Sequence, residues 1–188
     1  MDGGLGKRKV CPGMSITTKR GDEGFTDLLF GGKVGKGDPQ IEALGAVDEL
    51  NAALGLARVA MDGEAAGIVD RIQKLLVTLM GELATPAGKE VEYENSGFGR
   101  IGPEEIRWME EWSGEVEKEQ KFKGWLRPGA SGGELAARVH LARTVARRAE
   151  RRTWMVDDGI ASKDLRVFLN RLSDGLWLMA SKFESEEA

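Results

Sequence analysis

Apolar residues recur at three- and four-residue steps along five stretches of the chain, and each stretch predicts an amphipathic helix. The first opens at Asp38-Pro39, an N-cap acceptor followed by a proline whose missing N–H does no harm there. Ile41, Leu44, Val47, Leu50, Leu54, Ala57 and Met61 then line one face. A second helix is predicted from about Glu64 to Leu83, with Ile68, Ile72, Leu75, Leu76, Leu79 and Leu83 inward. Pro103, followed by Glu104 and Glu105, opens a third that carries Ile106, Met109 and Val116 and holds Gly114 in its middle. The fourth runs from about Glu134 to Val156 and presents Leu135, Val139, Ala142, Ala146 and Ala149. Ser162 is placed to cap the fifth, whose inward face is Leu165, Phe168, Leu169, Leu172, Leu176, Met179 and Phe183. Helices of about 20 residues span roughly 30 Å each, so the elements match in length.

The predicted fold class is all-α: a five-helix antiparallel bundle with an irregular N-terminal arm. A single domain is expected over residues 1–188, with the arm at 1–37 and the bundle at 38–183. Strand signal is confined to a short piece around Leu28–Phe30, and no internal repeat is visible. Two polar, glycine-containing loops break the helical pattern, one over residues 85–102 and one over residues 123–133 that presents Trp125. Ten glutamates fall among residues 90–119 and read as a solvated face.

Composition narrows the chemistry. With only His140 and Cys11, the chain cannot build a zinc site of the usual Cys/His kind or an intrachain disulfide. Catalysis must therefore rest on Arg, Lys, Asp, Glu and Asn, or on a reactive group brought by a substrate. The formal net charge of −4, from 27 basic and 31 acidic side chains, argues against a nucleic-acid partner. No apolar run is long enough for a membrane span, and Met1–Lys9 lack the apolar stretch of a secretory signal. The expectation is a soluble cytoplasmic protein without a nucleic-acid or membrane partner.

Three segments carry candidate chemistry. The arm reads Thr17-Thr18-Lys19-Arg20-Gly21-Asp22-Glu23-Gly24-Phe25-Thr26-Asp27, then Gly31-Gly32-Lys33 and Lys36. Glycines free backbone N–H groups to turn toward an anion while Lys and Thr add donors, which suits a triphosphate; the plainer reading is a flexible arm with turns. It is no Walker loop, because Asp27 and Val34 stand where that motif needs Gly and Ser or Thr. On the fourth helix Arg143, Arg147 and Arg151 are four apart and form one stripe, with Glu150 placed to pair with Arg147. The opposite face is alanine and valine, and guanidinium groups near a packed interior call for carboxylate or phosphate partners. Asn170 and Asp174 on the fifth helix, and Asp48 and Asn51 on the first, add polar groups that fit either an anion-binding seam or ordinary local pairing. His140 reads as a structural histidine.

Taken together, these segments resemble the PduO-type ATP:cob(I)alamin adenosyltransferases. The resemblance runs through Thr18–Gly24, Lys36–Pro39, Ile41–Asn51 with its Val-Asp-Glu-Leu-Asn block, Arg143–Arg152 and Leu169–Asp174. It implies a homotrimer with ATP held at each subunit interface. Thr18, Lys19, Arg20, Gly21, Thr26, Asp27 and Lys36 would wrap the triphosphate, and Arg147, Arg148, Glu150, Arg151 and Asn170 would complete the nucleotide site. Asp48 would pair across the interface with Arg143, Mg2+ would bridge the phosphates, and the corrinoid would lie near Trp125. The reaction implied is attack of Co(I) on the 5′ carbon of ATP with release of triphosphate; a reductase and an acceptor enzyme would be the further partners. Trp125 stands where phenylalanine is common in the family and Glu23 where lysine is, and the loop from Pro128 to His140 is longer than usual. A carrier or sensor of corrinoid and ATP with the same fold is the other function these departures would fit.

Overall fold

A computed structural model describes residues 17, 19–120, 127–131 and 133–186. Eight elements follow one another: β1 (Phe25–Asp27), β2 (Lys33–Gly35), α1 (Pro39–Arg58), α2 (Gly63–Leu83), α3 (Glu90–Asn95), α4 (Pro103–Lys118), α5 (Gly133–Thr153) and α6 (Lys163–Glu186). The five long helices lie where the hydrophobic periodicity predicts them. Asp38 caps α1 by accepting from the Gln40 N–H at 2.8 Å, and the Ser162 hydroxyl accepts from the Leu165 N–H at 3.2 Å at the start of α6. At the start of α4 the Glu105 carboxylate reaches back to the Gly102 N–H at 3.0 Å. Gly114 does not interrupt α4.

The helices pack in the order α2–α1–α5–α6–α4, which places α5 between α1 and α6. Ala136, Ala142, Ala146 and Ala149 of α5 are fully buried, and such small side chains let neighbouring helix axes come close. Larger residues fill the space around them, among them Leu50, Leu54, Ile72, Leu76, Leu79, Phe168, Leu169 and Leu172, all fully buried. Arg71 of α2 stacks on Trp108 of α4 at 3.9 Å, bringing the last helix of the row back onto the first.

Three features depart from the sequence reading. Leu28–Phe30 is no strand: it forms the turn of an antiparallel hairpin in which Thr26 pairs with Val34. Phe30, Gly31 and Gly32 all take positive φ there, at 61°, 93° and 99°. A short helix, α3, sits inside the 85–102 loop around one buried side chain, Tyr93; six residues are too few to show a helical period. Finally, α5 stops at Thr153 and the chain continues to Val156 in tight turns, with Met155 N–H on Arg152 O and Val156 N–H on Thr153 O. The buried Arg166 guanidinium caps that end by donating to the carbonyls of Thr153 and Val156 at 3.2 and 2.8 Å.

Gly175 of α6 shows how closely α4 is seated, since a Cβ there would lie 2.4 Å from Cζ3 of Trp112. Gly175→Ala is expected to lower the unfolding free energy by about 1–3 kcal/mol, read from urea or thermal unfolding. An unchanged unfolding midpoint would contradict this packing.

Candidate nucleotide site

The hairpin lies over one end of the α1–α5 pair. Here Thr26 and Lys36 of the arm face Ile41, Glu42, Gly45, Ala46 and Glu49 of α1 and Arg148 and Arg152 of α5 across a cleft of about 670 Å3. The helices run antiparallel, as the cross-links between them show. Arg138 donates to the Leu56 carbonyl at 2.8 Å, Arg148 pairs with Glu49, and Arg152 pairs with Glu42 at 3.8 Å.

The arm is built from tight turns. Asp22 and Gly24 N–H groups donate to the Lys19 and Gly21 carbonyls, and the Lys36 N–H returns to Gly24 O at 2.8 Å. Lys36 lies so close over Gly21 that a Cβ there would sit 2.9 Å from its Nζ. A larger residue at 21 would displace the end of the Lys36 side chain. Arg20 and Asp27 face each other at 4.0 Å. Lys19 takes φ 59°, a conformation rare for a side-chain-bearing residue.

On α5 the arginines divide between two directions. Arg148 and Arg152 turn toward α1 and its glutamates, whereas Arg147 and Arg151 are exposed beside them. Arg151 lies along its own helix, donating to Arg147 O at 3.0 Å. Glu150 does not pair with Arg147, contrary to the spacing argument. It lies on the face toward α6, where its carboxylate accepts from Asn170 Nδ2 at 3.5 Å. Arg171 in turn donates to Asn170 Oδ1 at 3.0 Å. Asp174, one turn further along α6, lines a separate groove with Trp177 and Glu117. Thr18 and Trp125 lie outside the described residues; of the other arm residues singled out in the sequence, Thr26 and Lys36 line the cleft, whereas Lys19, Arg20, Gly21 and Asp27 stand outside its lining.

A half-buried seam continues from the arginine stripe. Arg143 Nε, Asn51 Oδ1, His140 Nδ1 and Glu184 Oε2 are buried without a hydrogen-bond partner. Burial, and then the charge of Arg147, hold the Arg143 guanidinium below the ordinary arginine range. Asp48 is exposed on α1 and forms no ion pair with Arg143 within the chain. His140 and Glu184 are both nearly fully buried and meet at 3.3 Å.

Glu42, Glu49 and Arg152 line the cleft although motif reading did not assign them to it. The signal was present: on antiparallel neighbours, acidic positions seven apart on α1 face basic positions four apart on α5. It becomes readable only once the pairing of the two helices is known. Among the described residues no group of three or more His, Cys, Asp and Glu side chains could hold a metal ion. None of the described helices is long and apolar enough to cross a membrane.

The fold is that of a helical bundle with a cleft of mixed charge, Lys36, Arg148 and Arg152 beside Glu42 and Glu49, under a glycine-rich hairpin. Residues 16–183 match the cobalamin adenosyltransferase family model, and the chain belongs to that family. The corrinoid adenosyltransferase MMAB of Mus musculus is 34% identical over 173 residues, covering 88% of this chain and 70% of that protein. The corrinoid adenosyltransferase PduO of Salmonella typhimurium is 35% identical over 176 residues, covering 92% of this chain and 51% of that one. A variant PduO-type ATP:corrinoid adenosyltransferase from Lactobacillus reuteri, solved with cobalamin and ATP, superposes with a TM-score of 0.78 at 31% identity. The match covers 93% of this chain and 97% of that structure. The activity that goes with family membership is ATP-dependent adenosylation of corrinoids.

The buried histidine gives a pH prediction. Burial holds His140 below its ordinary value despite the Glu184 carboxylate beside it. The unfolded chain therefore takes up this proton more readily than the folded one. The resulting stability is complete above the unfolded pKa and is lost as pH falls through it toward the folded value. Between about pH 7.5 and about pH 5.5 the urea midpoint should fall further in the wild type than in His140→Asn. Equal losses in both proteins would remove His140 from the account.

Proposed function

We propose that the cleft binds the triphosphate of ATP and that this chain transfers the 5′-deoxyadenosyl group to the Co(I) of a reduced corrinoid. The observation that carries this reading is the convergence of Lys36 and Thr26 from the arm with Arg148 and Arg152 from α5 on one cleft. Lys19, Arg20 and Gly21 in the turns before β1, and Asp27 at the end of β1, complete the phosphate-facing arm, with Thr18 as a further donor. Arg147, exposed beside the cleft, is assigned the catalytic role of meeting the leaving triphosphate, Arg151 extends the positive surface, and Glu150 with Asn170 holds the nucleoside end. Trp125 is proposed to lie on the corrinoid side.

In the step itself the cobalt electron pair forms the Co–C bond as the C5′–O bond breaks, and that bond's electrons leave on the triphosphate oxygen. The nucleophile arrives with the substrate, so the protein needs neither a cysteine nor a histidine base. What it supplies is alignment and stabilisation of the charge that grows on the leaving group. Arg and Lys donors serve that purpose, and Mg2+ would enter on the ATP phosphates.

A homotrimer with sites between subunits is also proposed. Its support is the unpaired Arg143 Nε, the exposed Asp48, the exposed apolar Leu56 and Leu141 on the same two helices, and Val59 just after α1. A second subunit would pair Asp48 with Arg143 and cover those side chains. Such an enzyme would work in the cytoplasm, with a reductase supplying Co(I) and an acceptor enzyme taking the product.

A Co(I)-dependent adenosylation assay with ATP and Mg2+ tests the function directly. Arg147→Ala should reduce turnover by about 10²-fold or more while leaving the assembly intact by size-exclusion chromatography. Full activity in that variant would sink its role. Asp48→Ala and Arg143→Ala should each weaken both assembly and turnover; a fully active monomer from either would refute the interface pairing.

A further inference from the structure

Two three-residue strands joined by a turn are marginally stable by themselves. The placement of Thr26 and Lys36 over the cleft must therefore be set by contacts outside the hairpin. Those contacts come from the connection between α2 and α4. The Leu29 N–H donates to the Ala84 carbonyl at 2.8 Å. The ring of Phe30 meets Tyr93 of α3 edge-on, with centroids 6.4 Å apart and planes at 85°.

Tyr93 is itself rigidly held. It is 1% exposed, its hydroxyl lies 2.8 Å from the Gly99 carbonyl and 3.2 Å from that of Thr78, and Phe98 packs on it at 5.7 Å. Gly81 of α2 leaves it room, since a Cβ there would lie 3.0 Å from the hydroxyl oxygen. The far end of the connection is pinned by the buried Glu82 carboxylate, which accepts from the Ile101 N–H at 2.7 Å. The near end is tied to α1 by Gln40, whose Nε2 donates to the Leu83 and Thr85 carbonyls at 2.7 and 3.2 Å.

Phe30 is the informative residue. It holds φ 61° in a turn whose next two residues are glycines, where a third glycine would carry no steric cost. Its ring contact is what a glycine could not supply. We propose that Tyr93, acting through Phe30, is a positioning residue for the nucleotide: the α2–α4 connection anchors the hairpin, and so sets ATP affinity from outside the cleft. The nucleotide part rests on the reading of the cleft as the ATP site.

The test compares Phe30→Gly, Tyr93→Leu and the double variant with wild type. Hydrogen exchange is followed at β1 and β2, ATP binding by calorimetry without corrinoid, and turnover with varied ATP and varied corrinoid. Phe30→Gly relieves the backbone while removing the ring. It should speed exchange in the hairpin and weaken ATP binding about five- to tenfold, the scale of one aromatic contact. The Michaelis constant for ATP should rise likewise, with kcat and the Michaelis constant for corrinoid unchanged. The double variant should bind ATP no worse than the weaker single one. Unchanged or tighter ATP binding in Phe30→Gly overturns the proposal, as do two losses that multiply. Because Tyr93→Leu can disturb the fold, Phe30→Gly, at an exposed residue, decides alone if that variant does not fold. Wild-type protein that fails to bind ATP removes the reading of the cleft and the nucleotide half of the proposal, while the exchange data still decide whether the ring contact anchors the hairpin.

Discussion

Everything at the cleft depends on one helix meeting two opposed demands. α5 must be smooth enough on one side to lie against α1 and α6, and must keep a dense set of guanidinium groups at the surface on the other. Alanines at 136, 142, 146 and 149 meet the first demand. Arginines at 147, 148, 151 and 152 meet the second. Neither set could move without the other, because a helix turns about 100° per residue and the two faces are fixed by the same register. A one-residue shift would bury guanidinium groups between helices, where an unpaired charge costs several kcal/mol.

That constraint explains why the fold was so legible. The helices announce themselves through apolar steps, and their starts through Asp38-Pro39, Pro103 and Ser162, because capping and burial are short-range or periodic effects. The arm was harder to read. Its strands are three residues each, shorter than any alternation that can be recognised, and the one apolar cluster in it, Leu28–Phe30, is a turn held from outside. For the same reason α3 is invisible in the sequence, being organised around the single side chain of Tyr93.

The site was legible in residue type more than in pairing. Arginines four apart suggest an anion face, but their partners depend on which helix lies alongside and in what register. Glu150 illustrates the limit. Three residues after Arg147 it is well spaced for an intrahelical pair, yet the adjoining α6 offers Asn170, and the carboxylate turns that way. The scarcity of histidine and cysteine, by contrast, constrained the mechanism from the start. It left Arg, Lys, Asp, Glu and Asn or a group brought by the substrate, and the proposed reaction takes the second course.

The two carboxylates on α1 give the cleft a further property. With Glu49 on Arg148 and Glu42 near Arg152, two of its cations are already partly neutralised before any ligand arrives. An incoming anion must compete with glutamates tethered at high local concentration. A chloride or a single carboxylate offers no advantage in that exchange, whereas several linked negative charges can displace both at once. On the proposed reading of the cleft as the triphosphate site, the density of negative charge on a ligand would count for more than its mere presence.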